Sequence, residues 1–280
     1  MASAVYNPIG TTAVITGASS GLGVGYAHEL ARRGADLVLV ARRQERLEAL
    51  AVDLAEKYGT VSTVIPLDLT TPGAVPELVA DLRTRGIVIG TLVNNAGFGT
   101  IGTVLASDEA REREQVTLNV LALTALTHAL LPDLIQAATR QPHTAALVNL
   151  ASTAAFQPVP RMAVYAATKA YVLHYTEAIS YETRASGLKV TAICPGPADT
   201  EFFAVAQGSN SMKGTPLTVE HVMRASFAAL DRSKTPGVVL VGAKNALLAR
   251  VASLVPRRTV LTAAGRMNTP REPRERTAAT

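Results

Sequence analysis

Apolar residues along this chain fall into short unbroken runs separated by longer stretches of helical spacing. The runs cover 12–16, 36–41, 61–66, 89–94, 145–150, 188–194 and 238–241, and helical patterns occupy 22–33, 43–58, 74–85, 107–137, 162–186 and 217–231. A strand without polar alternation is buried on both faces, and a helix after each strand supplies the cover. Seven such strands joined by right-handed crossovers predict an α/β fold: a doubly wound, Rossmann-type parallel sheet with helices on both faces. No Gly/Ser- or Pro-rich linker divides residues 1–245, so one domain is expected there. Beyond it, 246–266 reads as an amphipathic extension, with Leu247, Leu248, Val251, Leu254 and Val255 able to form an apolar face. Residues 267–280 lack apolar periodicity and read as a disordered basic tail.

Composition narrows the choice of function. The chain is 48% apolar over 280 residues, enough for a sizeable core, and with no Trp that core must be aliphatic. The net charge of +5 invites a nucleic-acid reading, but its placement argues against one. From Arg250 onward there are seven arginines and two glutamates; the preceding residues balance at twenty positive and twenty negative. The basicity therefore belongs to the C-terminal segment, not to a binding face. A single cysteine, Cys194, excludes an intramolecular disulfide and suits a reducing compartment, here the cytoplasm. The N-terminus has no cationic start followed by an apolar run, so no signal peptide is expected. The most apolar stretch, 116–135, is interrupted by Thr117, Asn119, Thr124, Thr127, His128, Pro132 and Asp133. It reads as a buried or subunit-contacting helix, not a membrane span. The five histidines are scattered without metal-ligand spacing, and no metal site is expected.

Candidate chemistry begins after the first run, at Thr16-Gly17-Ala18-Ser19-Ser20-Gly21-Leu22-Gly23. Glycines at 17, 21 and 23 permit a tight turn and close approach of backbone to a pyrophosphate at a helix N-terminus, where free N–H groups and the helix dipole favour an anion. The second run ends in Arg42 and Arg43, and the nearest acid, Glu45, already lies in the helix. No carboxylate is thus placed for free ribose hydroxyls, whereas a guanidinium at the strand end suits a 2′-phosphate. Arg42 takes that role in this reading, and Arg43 reads as a solvated helix start. Asp68 ends the third run, where its carboxylate suits either an adenine amino group or a local turn. Asn94-Asn95-Ala96-Gly97 ends the fourth, with small residues that admit a nucleotide close to the backbone.

At the other end of the chain, Ser152 follows the fifth run, and Tyr165 and Lys169 lie four apart on the next helix, projecting from one face. A lysine ammonium one turn away, with a positively charged nicotinamide, would lower a phenol pKa that ordinarily stands near 10. Ser152 is positioned to hydrogen-bond a substrate oxygen.

In this order, TGASSGLG at 16–23, NNAG at 94–97, Asn119 in LNV, Ser152 in NLAST, YAATK at 165–169 and CPGPADT at 194–200 resemble the short-chain dehydrogenase/reductase family over about residues 10–242. The resemblance implies an oxidoreductase moving a hydride between NADP(H) and a carbonyl or secondary alcohol. Tyr165 would be the general acid/base, Lys169 would hold the nicotinamide ribose and depress the phenol, Ser152 would orient the substrate, and Asn119 would support a proton-relaying water. Gly17, Ser19, Ser20, Gly21, Leu22, Asp68, Asn95 and Thr200 fall where relatives hold the cofactor, together with Tyr165 and Lys169, and NADP-preferring relatives carry a basic residue at the place of Arg42. A homodimer or homotetramer is implied as well.

Two features depart from the family pattern. Ala151 stands where many members have a first serine, and the last strand is not followed by the Asp-Gly-Gly ending of fatty-acid ketoacyl reductases, which leaves a tetramer contact and an acyl-carrier substrate open. An apolar substrate is expected between the catalytic helix and a lid near 201–215, through Phe202 and Phe203, with Val205 and Met212 behind them and Gly208 and Gly214 as hinges. Helix packing would use the same residues. The competing reading is a catalytically silent nucleotide-binding scaffold or sensor of the same fold; an epimerase or dehydratase would show a different glycine spacing.

Overall fold

The computed structural model describes residues 5–202, 216–243, 245–247 and 255–268. Seven strands form one parallel sheet: β1 (Thr12–Thr16), β2 (Asp36–Ala41), β3 (Ser62–Pro66), β4 (Ile89–Asn94), β5 (Ala146–Leu150), β6 (Lys189–Cys194) and β7 (Val238–Leu240). Their spatial order is β3-β2-β1-β4-β5-β6-β7. The chain winds outward from β1 to β3, crosses back, and winds the other way from β4 to β7. The switch between β1 and β4 opens a crevice beyond the strands' C-terminal ends, where such sheets bind ligands.

Helices α1 (Gly21–Arg32), α2 (Gln44–Tyr58) and α7 (Val219–Leu230) cover one face. There Ile15, Leu37, Leu39 and Val93 meet Leu30, Leu47, Leu54, Val222 and Phe227. The other face packs Val14, Val38, Val40 and Leu92 against α3 (Ala74–Thr84), α5 (Leu123–Arg140) and α6 (Ala163–Glu182), through Leu78, Leu82, Leu126, Leu130, Leu134 and Ile179. Near-continuous burial of every central strand explains the absence of alternation in the sequence.

The long helical pattern at 107–137 is not one helix. It is α4 (Glu109–Val116), a π-helical turn (Thr117–Ala122) and α5, and the π turn carries Asn119. Taken together, Glu109–Arg140 is long and apolar enough to cross a membrane, yet its residues Leu126, Leu130 and Leu134 are buried on the sheet. Inside that layer Asn94 Nδ2 donates to Asn149 Oδ1 (2.9 Å) and Thr127 Oγ1 (3.0 Å), and Asn149 Nδ2 donates to Thr176 Oγ1 (2.9 Å). This ladder ties β4 and β5 to α5 and α6.

In the C-terminal extension, α8 (Arg257–Asn268) runs two residues further than the amphipathic pattern, and Ala264 is its one buried residue among those described. Leu247 is exposed rather than packed, and Leu248, Val251 and Leu254 lie outside the described residues. So do Phe203, Val205, Gly208, Met212 and Gly214 of the expected lid, and residues 269–280 of the tail.

Candidate active site

The glycine-rich turn leads from β1 into α1 at the crevice. Gly17 and Gly21 have φ of +66° and +52°, a region that L side chains avoid. A Cβ on Gly17 would lie 2.8 Å from Asn95 Nδ2, and one on Gly21 2.9 Å from Thr200 Cγ2, so the turn is closed in by the NNAG segment and by Thr200. Ser20 is the N-cap residue of α1 but makes no side-chain cap, and the first turn, which includes Leu22, holds no acid. The positive end of α1 is left to an anion, which fits a pyrophosphate.

Asn95 fixes that turn in place. Its Nδ2 donates to Thr16 O (2.9 Å) and Gly17 O (3.1 Å), and its backbone N–H donates to Thr16 Oγ1 (3.0 Å). The residue expected to touch the cofactor therefore spends its amide on the cofactor loop. Asp68 uses Oδ1 to accept from the Thr70 N–H (2.9 Å) and hydroxyl (2.7 Å), closing a local turn. Burial alone would raise its carboxyl, but the Thr70 donors and Arg42 hold it below the usual range. Arg42 lies 3.7 Å from Asp68 Oδ2 and 3.9 Å from Glu114, facing the end of β3.

Arg43, expected to be merely solvated, faces the glycine turn instead. Its Nε and Nη2 donate to Ser19 Oγ (both 3.1 Å), and its Nη1 donates to Glu201 Oε2 (2.7 Å). Arg46, one turn on, donates to Glu201 Oε1 (2.6 Å). This cluster escaped the sequence reading because Glu201 is more than 150 residues away along the chain. The only local signal was the pair of arginines at helical spacing on the first turn of α2.

On the other side of the switch point, Ser152, Tyr165, Lys169 and Asn119 are all buried. Ser152 Oγ accepts from the Ala154 N–H (3.1 Å), which leaves its own hydrogen to donate. Tyr165 and Lys169 share one face of α6, with Lys169 Nζ 5.9 Å from the phenol ring centroid and donating to Leu150 O (2.6 Å). Asn119 donates through Nδ2 to Phe98 O (2.9 Å) and Thr168 Oγ1 (3.1 Å) and accepts from the Phe98 N–H (3.1 Å). It thus fixes the strand-end segment that passes beneath Lys169: a Cβ on Gly97 would lie 2.9 Å from Asn119 Oδ1 and 3.5 Å from Lys169 Nζ. Phe202 packs on Tyr165 with ring centroids 5.1 Å apart.

Burial dominates the electrostatics here. It pushes the Tyr165 phenol up to about 12, against a hydrogen bond with Ser152, and pushes the Lys169 ammonium down to about 8. The lowered phenol expected from the Tyr–Lys spacing is therefore not what these side chains produce by themselves. Desolvation of a phenolate outweighs the Ser152 hydrogen bond, and the Lys169 ammonium is directed at a backbone carbonyl.

The glycine turn, the crevice and the Ser–Tyr–Lys cluster occur together in one family, and the family model for short chain dehydrogenase matches residues 11–210. The chain belongs to the short-chain dehydrogenase family. It is thereby an oxidoreductase of the alcohol–carbonyl class, on a Rossmann-type sheet as the sequence pattern predicted. Sulfoacetaldehyde reductase 2 of Chromohalobacter salexigens is 34% identical over 222 residues, covering 76% of this chain and 86% of that protein. Among solved structures, a short-chain dehydrogenase from Sphingobium yanoikuyae in complex with NADPH has a TM-score of 0.77 at 33% identity, covering 95% of this chain and 99% of that one. A 3-ketoacyl-(acyl-carrier-protein) reductase from Brucella melitensis, complexed with NADH, has a TM-score of 0.71 at 28% identity, covering 85% and 98%. Family membership alone therefore leaves the choice between the two nicotinamide cofactors open.

Proposed function

We propose that this chain is an NADP(H)-dependent oxidoreductase of apolar carbonyl or secondary alcohol substrates, with Tyr165 as the general acid/base. The observation that carries the reading is the buried grouping of Ser152, Tyr165 and Lys169 at the switch point of the sheet, with arginines and no carboxylate ending β2. The residues present fit a phosphorylated dinucleotide. The turn from Gly17 to Leu22 would hold the pyrophosphate, Arg42 and Arg43 the 2′-phosphate, and Tyr165 and Lys169 the nicotinamide ribose, with Asp68, Asn95 and Thr200 lining the path.

When bound, NADP(H) supplies or accepts the hydride and in its oxidised form brings a positive charge. In reduction, the Tyr165 hydroxyl donates its proton to the substrate oxygen; in oxidation, the same oxygen takes it back. Ser152, with one lone pair taken by the Ala154 N–H, donates its hydrogen to the substrate oxygen and fixes the distance to the phenol. Lys169 stabilises the phenolate form and communicates with solvent past Asn119. Phe202, seated on Tyr165, gives the substrate an apolar wall.

The test is Tyr165→Phe, assayed on panels of carbonyls and alcohols by NADPH absorbance. Removal of the titrating hydroxyl with little change of volume should lower turnover by about 10²–10⁴-fold while NADPH still binds. Near-normal turnover would take Tyr165 out of this role. A silent scaffold would give no turnover in the wild-type chain on any panel; the complete, co-located Ser–Tyr–Lys set favours the enzyme.

A further inference from the structure

The cluster around Glu201 is not accounted for by catalysis. It joins three segments that are far apart in the chain: Ser19 in the glycine turn, Arg43 and Arg46 at the start of α2, and Glu201 directly after Thr200. Arg43 engages all three of its nitrogens in the cluster, two with Ser19 Oγ and the third with Glu201. Glu201 divides its two oxygens between Arg43 and Arg46, at 2.7 and 2.6 Å. These hydrogen bonds, from Arg46 first and then Arg43, hold its carboxyl below the usual range, so it is an anion throughout the neutral region.

Two guanidiniums converging on one anion, the nearer of them steadied by Ser19 Oγ as acceptor, is the kind of donor set that holds a phosphate dianion. This set stands between the end of β2 and the glycine turn, where the adenosine ribose of a dinucleotide lies in a doubly wound sheet. Arg42, the other arginine of the pair, lies beside Asp68 and Glu114 and is not bound to Glu201. A carboxylate and a phosphate placed together at Arg43 and Arg46 compete for the N–H groups now directed at Glu201, and the two anions repel.

We propose that Glu201 is a cofactor-selecting residue: its carboxylate holds Arg43 and Arg46 as an internal stand-in for a 2′-phosphate, and NADP(H) must displace it to bind. The proposal rests on the NADP(H) reading above and adds to it a residue that weakens, rather than strengthens, binding of the phosphorylated cofactor. Both ion pairs are half exposed, so their loss is a modest penalty on the cofactor and not a barrier. NAD(H), which lacks the phosphate, leaves the cluster intact and is not penalised.

Glu201→Gln in the full chain tests this by calorimetric binding of adenosine 2′,5′-bisphosphate and of 5′-AMP, without turnover. Release from two exposed ion pairs should tighten the bisphosphate by about two- to thirtyfold and leave 5′-AMP unchanged. Arg43→Ala combined with Arg46→Ala should abolish that difference between glutamate and glutamine. Bisphosphate binding that is unchanged or weaker in Glu201→Gln, while the wild type still prefers it to 5′-AMP, overturns the role of Glu201 alone. If neither protein distinguishes the two nucleotides, the NADP(H) reading falls and Glu201's role with it.

Discussion

Replacing Lys169 by Met should make the cofactor-free protein's stability respond differently to pH. The ammonium is buried and donates to Leu150 O at 2.6 Å, and burial brings its pKa from 10.5 to about 8. In the unfolded chain this lysine binds its proton below about 10.5. In the folded chain it does so only below about 8. Between those values the unfolded state carries the extra proton, so this group's contribution to stability rises as pH rises. Below pH 8 both states are charged and the full penalty stays constant. At about 1.4 kcal/mol per pH unit, the window corresponds to about 3 kcal/mol. Met fills similar volume and has nothing to titrate. The stability difference, wild type minus variant, should therefore climb by about 3 kcal/mol from pH 8 to 10.5. Tyr165 and Cys194, both raised by burial to about 12, keep their protons in the folded state of either protein across that window, so what they lose on unfolding cancels in the difference. Urea unfolding at half-unit pH steps reads the difference directly. Parallel curves for the two proteins would refute the depressed lysine and the penalty worked from it. Turnover should collapse in the variant at every pH, so stability and activity part company at this position.

Two further outcomes test the surroundings of the site. Phe202→Ala removes the ring 5.1 Å from Tyr165 and should raise KM or redirect substrate preference while NADPH affinity stays put; a lower melting temperature with unchanged kinetics would make Phe202 a packing residue only. Gly23→Ala would place a Cβ 2.2 Å from Gly17 O, so despite alanine's better helix propensity it should displace the turn, weaken NADPH at least tenfold on the scale of about 1.4 kcal/mol, and lower stability. Wild-type cofactor affinity in that variant would show that the turn is not held against α1.

The sheet was legible because its strands are buried on both faces, which leaves unbroken apolar runs. Their ends differ by at most a residue: 61, 145, 188 and 241 lie just outside the observed strands. The π turn at Thr117–Ala122 was not legible, since TLNVLA satisfies an ordinary helical pattern as well and the extra residue shows only in backbone bonding. Ser152, Tyr165 and Lys169 could be found because helical spacing and strand-end position are local properties. Arg43 and Glu201 could not, because their meeting depends on how the crevice folds over the glycine turn. The raised Tyr165 phenol of the cofactor-free protein was not legible for a related reason. Sequence gives the neighbouring charge, whereas desolvation comes from the whole surrounding packing and is here the largest cause.

Asn95 also bears on how long such an enzyme lasts. Its amide nitrogen faces two carbonyl oxygens, those of Thr16 and Gly17, and meets them with the two hydrogens that only an NH₂ group at this position can offer. Asparagine is among the thermolabile residues. Hydrolysis of this one amide to a carboxylate would change almost no volume, yet it would set an anion against both carbonyls and undo the side-chain fastening of the glycine turn to the end of β4. Chemical ageing at a single side chain would then act on the cofactor loop, leaving the Ser–Tyr–Lys grouping untouched while the protein lost its hold on the nucleotide.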